Sequence, residues 1–271
     1  MKILAFIPMS PLTDPDDPLQ VRIFGRSLQS ILEVDYSGEI SYHFERDDFP
    51  WKRSHHERYN HILLRYQLAR KLFLRGDYDA LWTAESDMVI PKDALLRMTA
   101  ILRDGFDVAY GTACSRYSKR INVFFNIEEA SATFLQDDAD FMKKHWGEVI
   151  ETEGGGFGCT LISRRVLEEI DFRRKDGGPS NDWYFAIDCK EKGFKQASDL
   201  GLLCGHITVR PAPFIIWPDI HAERYYSLEA LPGVIVDPYD PEVDEDFIMD
   251  FVGEDCILSY AEAKAAGLTR E

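Results

Sequence analysis

The sequence predicts an α/β domain in which a central sheet is flanked by helices, followed by an irregular acidic segment. Three observations carry this. Short apolar runs alternate with longer stretches of helical period, the pattern of strands and helices stacked in layers. The chain has 271 residues, long enough to bury most of the surface its unfolded form exposes without a metal or disulfide staple. Beyond residue 210 the periodic pattern gives way to prolines and carboxylates.

Taken in order, residues 2–7 (KILAFI) read as a first buried strand. Residues 19–32 place Val21, Phe24, Leu28, Ile31 and Leu32 on one stripe, the spacing of an amphipathic helix. A strand is predicted over 39–44. The helix predicted over 56–75 is better marked, with Ile62, Leu63, Tyr66, Leu68, Ala69, Leu72 and Phe73 on one broad apolar face. It leads into a short strand over 80–83. Pro91 opens a further helix carrying Leu95, Leu96, Met98, Ile101 and Leu102. Strands follow over 108–110, 157–162 and 207–210. Ser163 is a capping residue for a helix over 164–170, and Ser180 or Asn181 for one reaching about Lys192. The stretch 171–180, with Gly177-Gly178-Pro179, reads as a surface loop.

The division that follows is a domain over 1–210 and a Pro-rich, acidic extension over 211–271, packed on the domain or trailing from it. Prolines 211, 213, 218, 232, 238 and 241 interrupt regular structure there, and 237–255 holds nine carboxylates without a lysine or arginine. A solvated acidic tail is the plain reading of that run.

Composition narrows the function. Forty-seven acidic against 31 basic residues give a net charge of −16. That field disfavours nucleic acid and anionic membranes as bulk partners, although a local basic site for a phosphorylated ligand remains open. No run reaches the ~20 apolar residues of a membrane span. The five cysteines (Cys114, Cys159, Cys189, Cys204, Cys256) form no CxxC pair, so the expectation is a reducing cytoplasm.

Four windows carry candidate chemistry. In 77–91 (DYDALWTAESDMVIP), Glu85 and Asp87 stand i, i+2 where a strand ends. In an extended chain they would share a face and point into one crevice, and crevices at strand carboxyl ends are where open α/β sheets bind ligands. Paired carboxylates suit a hard divalent cation, though a solvated turn would look the same. In 153–165, Gly154-Gly155-Gly156 precede an apolar strand and allow close approach to a ligand, or form a flexible hairpin. The helix does not follow them directly, which disfavours a Rossmann phosphate site. Asp182, in the first turn of a helix, is either an ordinary helix-start carboxylate or a base in a cleft. His206, after Gly205, is a metal ligand or simply a core imidazole.

The order of these windows resembles the nucleotide-sugar glycosyltransferases of GT-A fold over residues 1–210. The resemblance implies a single domain with a central mixed, mostly parallel sheet flanked by helices, and a "DxD" triplet at Glu85-Ser86-Asp87. Here the first position is Glu, whose longer side chain extends its reach. It implies donor binding by Pro8, Arg58, Asn60, Glu85 and Ser86, with Glu85 on the sugar or ribose side. It implies Mn²⁺ or Mg²⁺ held by Asp87 and His206. It implies acceptor contacts from Gly155, Gly156, Phe157 and Trp183, and Asp182 as general base if the anomeric centre inverts, or as an acceptor-orienting group if it is retained. Arg58, and Lys119 or Arg120 in the loop 114–122, would add positive charge to the leaving group, and the loops 114–122 and 175–180 would act as lids.

The function expected is therefore sugar transfer from a nucleoside diphosphate sugar to a protein, glycan or metabolite. A non-catalytic nucleotide-sugar or glycan-binding module is the alternative from another class, with Trp51, Trp82, Trp146, Trp183 and Trp217 as candidate stacking rings. A nucleotidyltransferase fits less well, because the loop after the first strand (MSPLTDPDD) is acidic and lacks glycine.

Overall fold

The structure, a computed structural model, describes residues 1–9, 18–45, 55–116, 118–175, 180–208 and 214–230, with 18–23 and 55–59 as backbone only. Its elements run β1 (Lys2–Pro8), α1 (Pro18–Leu32), β2 (Glu39–Glu45), α2 (His55–Arg75), β3 (Ala80–Ala84), β4 (Met88–Val89), α3 (Ala94–Arg103), β5 (Val108–Ala113), β6 (Val123–Phe125) and β7 (Thr133–Phe134). There follow α4 (Ala139–His145), β8 (Val149–Thr152), β9 (Gly154–Gly155), β10 (Cys159–Ser163), α5 (Arg164–Glu169), α6 (Asn181–Lys192), β11 (Gln196–Thr208), β12 (Phe214–Pro218) and β13 (Tyr226–Ala230).

The main sheet has the order β13-β12-β11-β5-β10-β3-β1-β2, with β4 and β8 also paired to β11. Strand β1 is parallel to both β2 and β3, β11 is parallel to β5, and β10 is inserted antiparallel between β3 and β5. The sheet is therefore mixed, with a parallel β2-β1-β3 group at one side. The chain leaves β1 toward β2 through α1 and returns through α2 to β3 on the other flank. That reversal creates a crevice beyond the carboxyl ends of β1 and β3.

Strand alternation explains why the sheet is buried on both faces. In β1, Ile3, Ala5 and Ile7 point one way and join Trp82, Ile31, Leu95, Met98 and Ile101 in the layer formed with α1 and α3. Leu4 and Phe6 point the other way and join Leu81, Tyr66, Ala69, Phe73, Phe172 and Phe185 in the layer formed with α2, α5 and α6. In α2, Tyr66, Ala69 and Phe73 are buried at i, i+3, i+7 spacing, as the sequence predicts.

The structure corrects the sequence reading in several places. The strand expected over 207–210 begins at Gln196, so the glycines and Asp199 of β11 lie inside a strand. The apolar pattern fails there because Asp199 is neutralised by both Arg97 Nε (2.7 Å) and Arg97 Nη2 (2.6 Å), a pairing between distant segments. Regular structure also continues past 210: β12 pairs with β11 and β13 with β12, so a boundary at 210 cuts through the sheet. The acidic run 237–255 lies outside the described residues. Ser163 and Ser180 do stand at the starts of α5 and α6, but neither side chain makes a capping hydrogen bond. The helix after Pro91 begins at Ala94, whose N–H donates to the Pro91 carbonyl at 3.1 Å.

Candidate functional site

The triplet after β3 is a turn rather than extended chain, so Glu85 and Asp87 do not approach by strand alternation. The Met88 N–H donates back to the Glu85 carbonyl at 3.0 Å, closing the turn. Ser86 N–H lies 3.5 Å from the carbonyl of Pro8, which ends β1, and Glu85 N–H donates to Gly158 at 3.1 Å. Arg65 of α2 caps the same edge by donating to the carbonyls of Met9 (2.8 Å) and Glu45. A single arginine in a helical stripe carries no motif, so the sequence gives no sign of this role.

The turn hands the chain to β4, and β4 is what brings Asp87 to His206. Met88 and Val89 pair with His206 and Gly205 of β11, and the Ile207 N–H donates to the Asp87 carbonyl at 2.7 Å. His206 Nε2 then lies 3.7 Å from Asp87 Oδ2. The ring is oriented from its other side: Nδ1 is 2.8 Å from the Cys114 carbonyl. A carbonyl only accepts, so Nδ1 carries the hydrogen and Nε2 of the neutral ring is its lone-pair nitrogen.

Arg116 completes this corner, its Nη1 2.9 Å from Asp87 Oδ2. Burial by itself would raise the Asp87 carboxyl. The Arg116 guanidinium leads the interactions that outweigh it and hold the group well below the usual carboxylate range. Glu85 goes the other way: burial, then the neighbouring Asp87 charge, raises it against the hydrogen bond from the Tyr66 hydroxyl at 2.9 Å. Two carboxylates two residues apart thus have opposite tendencies, one held ionised and one pushed toward its acid form.

Asp182 shares a cleft with Glu85 and His206, a space of about 70 Å³ whose wall includes Asn122, Gly156 and Phe157. Burial raises its carboxyl, while the Ser180 hydroxyl and the Trp183 N–H (2.9 Å) bond to it and resist that rise.

The remaining candidates divide. Phe157 lines the cleft yet packs in the core, its ring centroid 4.9 Å from that of Tyr66. Gly154 and Gly155 form β9, in a small sheet with β6 and β7, and are neither loop nor flexible hairpin. A Cβ at Gly154 would lie 2.5 Å from Ala186 Cβ, and one at Gly155 2.7 Å from the Tyr110 ring. Packing accounts for the glycine at both positions, and Gly156 lines the cleft. Trp183 packs on Phe124 and donates to the Glu128 carbonyl at 2.8 Å. Asn60 sits near the start of α2, its Oδ1 3.4 Å from Arg174 Nη1. The Arg58 side chain, Trp51 and residues 176–179 lie outside the described residues. Trp82 is fully buried in the sheet and cannot stack on a ligand.

The loop 114–122 is a tied hairpin, not a free lid. Cys114 bridges Ile121, Ser115 N–H donates to the Arg120 carbonyl at 2.7 Å, and Lys119 N–H to the Ser115 carbonyl at 2.9 Å. Lys119 lies over the Tyr226 ring and Arg120 over Phe134. The guanidinium that this segment brings to Asp87 is that of Arg116.

Among the described residues no group of three His, Cys, Asp or Glu side chains converges as a metal cage. Asp87 and His206 nevertheless fit a shared cation. His206 Nε2 is buried without a hydrogen-bond partner and faces a carboxylate oxygen. Two protein ligands suffice where phosphate oxygens and water supply the rest.

No protein-family model matches the chain, and no curated protein matches it in sequence. Among solved structures, A197 from STIV, known from its crystal structure, aligns with a TM-score of 0.54 and 20% identity, covering 89% of this chain and 100% of that one. That likeness is one of fold. In all, 219 chains of known structure match. A scaffold shared so widely leaves function to be argued from the site.

Proposed function

We propose that the chain is a metal-assisted glycosyltransferase of GT-A type, transferring a sugar from a nucleoside diphosphate sugar to an acceptor. The observation that carries this reading is the meeting of Asp87 and His206, 119 residues apart in sequence, beside Glu85 and Asp182. The cleft lies where an open α/β sheet places its ligands. Asp87 and His206 are the residues that would hold Mn²⁺ or Mg²⁺, and the imidazole favours Mn²⁺. Such an ion, when bound, neutralises the charge that develops on a departing diphosphate.

The chain's own groups supply the rest. The Tyr66 hydroxyl fixes Glu85, placing a carboxyl where it can bond a sugar or ribose hydroxyl. Asp182, raised by burial, is suited to take the acceptor proton as the acceptor oxygen bonds the anomeric carbon and the bond to the diphosphate breaks. In a retaining reaction the same carboxylate would orient the acceptor instead.

The test is incubation with a panel of nucleoside diphosphate sugars and Mn²⁺, reading released nucleoside diphosphate. Slow release by the native chain, abolished in Asp87→Asn, is the expected result. Tight donor binding with no release at any enzyme concentration would replace this reading with that of a nucleotide-sugar-binding module.

A further inference from the structure

We infer that Arg116 is the resident cation of this site and that a divalent metal reaches Asp87 only by displacing it. The inference rests on the proposed reading of Asp87 and His206 as metal ligands, and goes beyond it by naming what the metal must compete with.

The geometry sets up the competition at a single atom. Asp87 Oδ2 is the oxygen that faces His206 Nε2 at 3.7 Å, and it is also the oxygen that Arg116 Nη1 contacts at 2.9 Å. A cation held by Asp87 and His206 would draw on that same oxygen. The guanidinium charge would then be only a few ångströms from a divalent ion, in surroundings where Asp87 is 4% exposed and His206 9%. Like charges that close repel strongly where water does not screen them. The two cations therefore compete for Oδ2.

Arg116 is also held at its post. The hairpin that carries it is closed by the Ser115–Arg120 and Lys119–Ser115 backbone bonds, and Lys119 has a left-handed φ of 54° as it packs over Tyr226. The same hairpin orients His206, because the Cys114 carbonyl accepts from Nδ1. One short segment thus fixes both the imidazole that would ligate the ion and the guanidinium that keeps the place filled.

Displacement would not waste the guanidinium. The Arg116 side chain is 27% exposed, and its planar fork of N–H donors suits phosphate oxygens. Metal arrival would free a diphosphate ligand, so metal and a diphosphate would bind with positive coupling, each raising the other's affinity by the same factor.

The experiment is calorimetric titration of Mn²⁺ alone into the native chain, Arg116→Gln, Arg116→Met and Asp87→Asn, with circular dichroism to establish that each is folded. Removing the competitor should tighten Mn²⁺ binding by about tenfold or more in both Arg116 variants, and should weaken pyrophosphate binding in the presence of saturating Mn²⁺. Equal or weaker Mn²⁺ binding in both variants, with binding still lost in Asp87→Asn, would overturn the competition and leave the metal site standing. Absence of Mn²⁺ binding in all four proteins would overturn the metal site itself, and the inference with it.

Discussion

The backbone N–H of Ile207 donates to the carbonyl oxygen of Asp87 at 2.7 Å, and this one bond ties the turn after β3 to the strand that carries the imidazole. The side chains of Asp87 and His206 meet because their backbones are already neighbours in a sheet, with Met88 opposite His206. The far side of β11 is braced by β12, where Ile216 lies opposite His206.

That bracing predicts a sensitivity at Gly205. A Cβ there would lie 2.5 Å from Ile215 Cγ2 and 2.8 Å from the Trp217 ring. Gly205→Val should push β12 away and cost about 2 kcal/mol, typical of overpacking in a closed core. Chemical denaturation measures it; a midpoint equal to that of the native chain would show that the strand pair yields without cost.

Asp87→Asn keeps the shape of the side chain and removes its charge. It should abolish Mn²⁺-dependent donor binding while leaving the far-ultraviolet circular dichroism unchanged, because the partly exposed Arg116 can turn to water. Calorimetry with and without Mn²⁺ decides: metal-dependent affinity that survives the substitution would remove Asp87 from the metal site.

Asp182→Asn should lower turnover by roughly 10²–10⁴-fold, the range for loss of a general base, with little change in donor affinity. Steady-state kinetics beside donor binding separate the two. Equal losses in both would make Asp182 a donor-binding or structural residue.

The same substitution should stabilise the fold, with a pH dependence of fixed sign. Burial raises the Asp182 carboxyl in the folded chain, so keeping it ionised costs stability. The cost is absent below the unfolded carboxylate pKa of about 4, grows as pH rises toward the raised folded value, and is constant above it. Asp182→Asn should therefore melt higher than the native chain at neutral pH and match it in acid. A melting-temperature difference independent of pH would contradict the burial argument.

Much of the fold was legible because it is written in local pattern. The alternation of Ile3, Ala5 and Ile7 against Leu4 and Phe6, and the Tyr66, Ala69, Phe73 stripe, require only the geometry of a strand and a helix. Strand β11 was largely hidden because Asp199, Gly201 and Gly205 break the apolar pattern. Each is explained by a partner remote in sequence: Arg97 for Asp199, Arg97 and the Gly147 carbonyl for Gly201, and Ile215 and Trp217 for Gly205. The glycines at 154 and 155 invited a ligand reading for the same reason, since their neighbours Ala186 and Tyr110 are also far away in the chain.

The sequence by itself determined the layered α/β architecture, the place of Glu85-Ser86-Asp87 at the end of a strand, and the candidacy of Asp182 and His206. Only the tertiary structure decided that Asp87 and His206 face each other, that Glu85 leans on Tyr66, and that Arg116 pairs with Asp87. The reason is one of range. Hydrophobic period and turn chemistry act over a few residues, whereas the Asp87–His206 pair exists because β4 and β11 share a hydrogen-bonded ladder across the sheet.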